Sequence, residues 1–382
     1  MSMEYINNFT YTVFNKLYSS QNSTGNLAFS GLNLYIFLAS INVGLRGTSY
    51  SQISNLLGED FSELYDNDYW RGTQTAKKWN KLKSLAAITS NMRSALFSSC
   101  NIDIHFRRMS DFIFGLSLEN EKMTAPKHLI YQINKWLLMR IFASTDGIFK
   151  KSNTNFYDKS LLTEDKLIFI NFFLLTSDWK ENFDYRLTEP YMFTDDKGNL
   201  ILVKMMNQKR YLRVFDSSDH DFRIIFKEYY QGYIYSAIIL PRYGQSIQNV
   251  LLNFNLNEIL NYYEKSRIEY THLMLPKFKI FDKINLEETL KQLGITDIFT
   301  QGLADFGKMT NQTVFVGNLI QVARLIIIDS NEMEPEMTKA RVDESLSEPY
   351  RFFVDSPFLY FVFSRLSNTV PITAVVTNPN DN

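Results

Sequence analysis

The sequence predicts a single α+β domain over residues 1–382, and three observations carry that prediction. Segments of helical spacing fill the first third of the chain, and strand-like segments follow from about residue 165. No repeat or Gly/Ser-rich linker divides the chain. Hydrophobic residues make up 45% and charged residues 21%, which supplies a large core and excludes a disordered chain.

Taken in order, Ile6, Phe9, Val13 and Leu17 recur at helical spacing in MSMEYINNFTYTVFNKLYSS, so this stretch reads as an amphipathic helix and not a cleavable leader. LNLYIFLASINVGL at 32–45 is almost continuously apolar and is expected to be a buried helix ended by Gly47. A helix is expected over QTAKKWNKLKSLAA at 74–87, where Lys77, Lys78, Lys81 and Lys83 form a solvated face, and another over HLIYQINKWLLMRIF at 128–142. NMRSALF at 91–97 reads as an early strand.

KLIFINFFLL at 166–175 is apolar on both alternating sets, which predicts a central strand buried on both faces. LILVKMM, RIIFKEYYQGYIYSAIILP and IEYTHLMLPKFKIF continue the strands, with helical inserts at about 246–263 and 284–293. VFVGNLIQVARLIII, PFLYFVF and PITAVV are the last strand-like runs.

The chemistry these residues offer is sparse. A formal net charge of −1 gives no general pull toward nucleic acid or an anionic membrane, so neither is expected as a partner. One cysteine, Cys100, excludes an internal disulfide and a cysteine metal cluster. His105, His128, His220 and His272 lack metal-ligand spacing. No nucleophile elbow, P-loop, dinucleotide fingerprint or H-E-x-x-H is present, so the chain is expected to be no enzyme and to need no cofactor. Its apolar runs are short of a membrane span. The sequons at Asn8, Asn22 and Asn311 matter only on a secretory route.

One stretch stands apart. DSNEMEPEMTKARVDESLSEPYRFFVDSPF at 329–358 sets Glu, Ser and Pro between strongly β-prone runs. It is expected to be an exposed loop longer than ordinary connections, with several bonds open to a proteinase.

A family resemblance follows from a series of motifs. GLRGTSYSQI at 44–53 follows NLAFSG at 26–31, and IFINFFLLTSDWKENF at 168–183 carries Asn171, Trp179 and Phe183. SAIILP at 236–241, LPKFKI at 275–280, LKQLGITDIF at 290–299, ADF at 304–306, SPF at 356–358 and VVTNP at 375–379 complete it. In order and spacing, over nearly the whole chain, these resemble the serpins, the serine-protease-inhibitor superfamily.

The resemblance implies helices packed around three β-sheets, with residues 329–350 as an exposed reactive-centre loop. It also implies a mechanism. A serine or cysteine protease attacks the loop as a pseudo-substrate and forms an acyl-enzyme, and the cleaved loop then enters the large sheet as a new strand. Counting back from Ser356, Pro357 and Phe358 places the scissile bond at Ser345–Leu346 or Leu346–Ser347. Leu346 would favour chymotrypsin-like and Ser345 elastase-like proteases, while Lys339 and Arg341 fall upstream. A monomer is implied. Extracellular residence is the family's usual state, and the lack of a visible cleavable signal sets cytoplasmic residence or unconventional secretion against it.

Several positions depart from the family pattern. The hinge of the loop aligns with DSNEMEPEM at 329–337, in place of the family's Glu-Glu-Gly-Thr and alanines. Strand side chains alternate, so placing Glu332 in a sheet interior also places Glu334 and Glu336 there, and each unpaired buried charge costs several kcal/mol. A one-residue slip turns Met333, Met337, Lys339 and Arg341 inward instead. Pro335 lacks a ladder donor in either register, and Asn331 stands where a glycine would ease the bend. The polar cluster where the sheet opens is expected at Ser30, Asn33, Asn171 and Gln321, with Asn and Gln replacing a Ser and a His. Gly31 and Ala374 replace a proline and a glycine. The hinge leaves open a non-inhibitory serpin: a binding or carrier protein, or a plain protease substrate. Lys77, Lys78, Lys81 and Lys83 lie where some serpins bind sulfated polysaccharide.

Overall fold

The computed structural model describes residues 3–66, 69–119, 126–142, 165–329 and 348–381. The helices are α1 (Met3–Ser20), α2 (Gly31–Asn42), α3 (Gly47–Leu57), α4 (Glu63–Asp66), α5 (Gln74–Ser90), α6 (Ile104–Met109), α7 (Pro126–Phe142), α8 (Ile247–Asn253), α9 (Ile259–Lys265) and α10 (Glu287–Lys291). The first strands are β1 (Leu27–Phe29), β2 (Arg93–Phe97), β3 (Leu116–Glu119), β4 (Lys166–Thr176), β5 (Glu189–Thr194), β6 (Leu200–Asp216) and β7 (Phe222–Glu228). They are followed by β8 (Ile234–Pro241), β9 (Arg267–Pro276), β10 (Phe278–Asn285), β11 (Phe315–Ile327), β12 (Tyr350–Phe353), β13 (Phe358–Ser364) and β14 (Thr369–Val376).

By contact the chain forms two compact units. One comprises Asn33–Leu174 and Lys283–Val322; the other comprises Ser2–Leu32, Leu175–Asp282 and Ala323–Asn382.

In the first unit, Tyr35, Phe61 and Phe114 pack around Trp79 of α5, the Tyr35 ring stacking at 5.3 Å. Thr73 caps α5 by accepting the Ala76 N–H. Asn91, in the left-handed conformation, ends it. α2 is buried on every side, as expected, but it stops at Asn42 and not at Gly47. A fully buried run carries no amphipathic edge to mark its end. The chain closes past Asn42 with tightened i→i−3 bonds, Gly44 N–H to Ile41 O at 2.9 Å and Leu45 N–H to Asn42 O at 3.0 Å, and a Cβ on Gly44 would lie 2.9 Å from Phe106. Gly47, at φ +56°, opens α3.

A five-stranded sheet runs β10-β11-β4-β2-β3. β4 is buried at nine consecutive positions between β11 and β2, the two-faced burial that its sequence predicts. The second unit is built on a nine-stranded sheet, β1-β14-β13-β8-β7-β6-β9-β12, with β5 also on β6. The 17-residue β6 pairs first with β5, then with β9, and finally with β7. Where three sheets are expected, the described residues form two, because β6 holds β5, β9 and β7 in one hydrogen-bonded network. α1 buries Ile6, Phe9, Val13 and Leu17, with Phe14 edge-on to Phe361 of β13.

Candidate functional site: the sheet seam and the ends of the loop

β4 and β11 are hydrogen-bonded neighbours, with no strand between them. In the first unit, Gln321 of β11 donates from Nε2 to Asn171 Oδ1 on β4 at 2.9 Å. Asn171 Nδ2 in turn donates to Ser94 Oγ on β2 at 3.0 Å. Asn33 Nδ2 donates to Ser90 Oγ at 3.0 Å, and that hydroxyl donates to Ala86 O at 2.8 Å. All five side chains are buried, so each lost bond would leave an unsatisfied polar atom out of water. No group in these bonds titrates near neutral pH. Sequence reasoning named Asn171, Gln321 and Asn33 but missed Ser90 and Ser94. Ser94 stands directly opposite Asn171 in the β2–β4 register, a signal available only once the strands are paired.

In the second unit, Ser30 Oγ donates to Pro371 O at 2.7 Å. Here the seam is latched by Ser177, just past β4. Its N–H donates to Ile326 O at 3.0 Å and its hydroxyl to Ile328 O at 2.7 Å, while Ile328 N–H donates back to the hydroxyl at 3.0 Å.

The loop's first residue is not exposed, although the sequence expectation places the loop's start there. Asp329 is buried because Lys277 pairs with its carboxylate at 2.5 Å and Thr188 Oγ1 donates to it at 2.7 Å. The far end is fixed too, since Tyr350 starts β12, parallel to β9. Beneath, Trp179 Nε1 donates to Ser236 Oγ at 3.1 Å and its ring packs on Phe183 at 5.4 Å. Lys227 Nζ is enclosed against both rings and donates to Glu181 O at 2.6 Å and Gln208 Oε1 at 2.8 Å. Burial first, then the Arg210 charge, hold its amine well below the usual lysine range. Arg210 itself pairs with Glu181.

Asn331, Glu332, Glu334, Pro335 and Glu336 of the hinge, and Ser345, Leu346 and Ser347 at the scissile position, lie outside the described residues. The four lysines of α5 separate. Lys78 pairs with the nearly buried Glu59 at 2.6 Å, and Lys83 donates to Phe112 O at 2.5 Å. Lys77 and Lys81 stay exposed one turn apart.

The family model for Serpin (serine protease inhibitor) matches residues 4–379, almost the entire chain. The chain is a serpin. Leukocyte elastase inhibitor of Xenopus laevis is 26% identical over 379 residues, covering 95% of each chain. Iripin-1 of Ixodes ricinus is 24% identical, covering 90% of this chain and 87% of its own. The crystal structure of native protease nexin-1 with heparin superposes with a TM-score of 0.82 at 22% identity over 99% of both chains. That of human thyroxine-binding globulin gives 0.80 at 18%, again over 99% of both. At these identities the structures establish the fold. Since one neighbour is a binding globulin, the fold by itself does not separate an inhibiting serpin from a carrying one.

Proposed function

We propose that this serpin is a suicide pseudo-substrate inhibitor of a serine protease, cut at Ser345–Leu346 or Leu346–Ser347. The observation that carries the reading is the directly paired β4–β11 seam, crossed by the neutral Gln321–Asn171 and Ser177–Ile328 links. Insertion of a cleaved loop between these strands would break the Gln321–Asn171 and Ser177–Ile328 bonds and return ladder bonds at every inserted position except the missing N–H of Pro335. Asp329 and Tyr350 fix the ends of the bait. The inhibitor relatives support protease targeting, and Leu346 and Ser345 suit chymotrypsin-like and elastase-like pockets respectively.

A second reading is favoured by one observation, the Glu332, Glu334, Pro335 and Glu336 hinge. If these residues block insertion, the loop is a plain substrate and the serpin acts through its folded body. Incubation with a chymotrypsin-like and an elastase-like protease decides between the two. A covalent complex that survives SDS is the expected result, whereas cleaved serpin with full protease activity remaining establishes the second reading.

A further inference from the structure

The exposed face formed by β6, β9 and β12 carries an unusual row. The registers place Lys209 opposite His272 and His272 opposite Arg351, so three basic residues stand side by side across three strands. Strand spacing puts the outer two Cα atoms about 10 Å apart. Like charges on adjacent strands are destabilising unless something offsets them. Neither Lys209 nor Arg351 has a carboxylate partner among the described residues, and both are exposed. His272 is half-buried; Nε2 bonds Asn207 Oδ1 at 2.8 Å, and the ring meets Phe353 edge-on at 4.9 Å. Burial first, then Lys209 and Arg351, lower its pKa against the smaller opposing effect of Glu189, which Asn207 Nδ2 bonds at 3.1 Å, so the row itself carries two charges at neutral pH.

The next row down is aromatic. Tyr211 and Tyr270 face each other with ring centroids 5.5 Å apart, and Ile268 beyond them is 62% exposed. Tyrosine and arginine around exposed aliphatic surface are what protein partners use as anchors. Position along the chain adds a constraint. Arg351 follows Ser345 by six residues, so at full extension it lies within about 20 Å of the expected scissile bond. A partner docked on that bond, covering about 800 Å² per side, reaches this face.

We propose that the Lys209–His272–Arg351 row is an exosite for an acidic segment of the attacking protease. Lys209 and Arg351 each take a carboxylate, His272 fills the gap between them, and Tyr211 and Tyr270 form the adjoining apolar floor. This rests on the reading of the loop as protease bait. Covalent-complex formation tests that reading; the experiment below needs neither cleavage nor insertion, so either can fail alone.

A fluorescent hexaglutamate peptide is titrated into the full-length serpin at low and high salt. Saturable binding that weakens with salt is expected, with a loss of tenfold or more in Lys209→Glu/Arg351→Glu. Lys265→Ala, at an exposed position that ends α9, should bind as the unaltered chain does. Lys209→Gln/Arg351→Gln, a milder change at exposed positions, should lose affinity in the same direction. Absence of saturable binding, or equal binding to the charge-reversed chain, overturns the proposal. So does loss of heparin retention in that variant with peptide binding intact, which would make the row a polysaccharide site. Binding that appears only after Asp343→Asn/Glu344→Gln also overturns it, because the occupant is then the serpin's own loop.

Discussion

Asp282 accepts the Ala28 N–H at 2.6 Å and is half-buried, and this burial pushes its carboxyl up to about 6. A carboxyl raised in the folded state favours folding most below its unfolded value near 4, and that contribution is lost as pH rises through about 6. At neutral pH the charge therefore opposes folding. Asp282→Asn keeps an acceptor for Ala28 and removes the charge. It should stabilise the serpin by about 1–2 kcal/mol at pH 7.5 and by little at pH 4.5, measured by urea unfolding at both. At this scale the sequence disclosed residue types and not partners. Asn171 and Gln321 were legible as a polar cluster, while Ser94, Ser90 and the Lys277–Asp329 pair were not. Their bonds join positions 52 to 77 residues apart, and no local pattern records such a meeting.

Among the elements, the hinge and the seam define one question: can the stretch after Asp329 become a strand between β4 and β11? Period-two alternation sends Glu332, Glu334 and Glu336 to one face together, and Pro335 leaves one ladder position without a donor. Replacing Glu332, Glu334, Pro335 and Glu336 with Thr or Ala should raise the melting temperature of the loop-cleaved serpin well above that of the unaltered cleaved chain. An unchanged melting temperature would show that these residues do not limit insertion. Most elements were legible here. Helical spacing marked α1 and two-faced apolarity marked β4. The end of α2 at Asn42 was not legible, because its run is apolar and buried on every side and no change of pattern marks the last turn. The lysines of α5 looked like one patch, yet Glu59 and the Phe112 carbonyl claim two of the four.

For the molecule as a whole, the boundaries between the compact units at 32/33, 174/175, 282/283 and 322/323 fall inside α2, β4, β10 and β11. Separating the units would sever four elements. We therefore expect one cooperative unfolding transition, as the single-domain proposal requires. The tryptophans give a direct check, since Trp70, Trp79 and Trp136 belong to one unit and Trp179 to the other. In a variant retaining Trp179 alone, fluorescence and far-ultraviolet circular dichroism should report the same urea midpoint. Two separated midpoints would mean that the units unfold independently.

The sequence by itself determined the α+β class and the serpin motifs, and it carries the awkward chemistry of Glu332, Glu334, Pro335 and Glu336. Each of these is written in nearest neighbours or in short periods of 2 and 3.6 residues. Tertiary structure alone decided that Asn171 meets Ser94, that Asp329 is tied down by Lys277, and that Lys209, His272 and Arg351 align in one row. Those outcomes depend on strand register, where a shift of a single residue would send every one of these side chains to the opposite face.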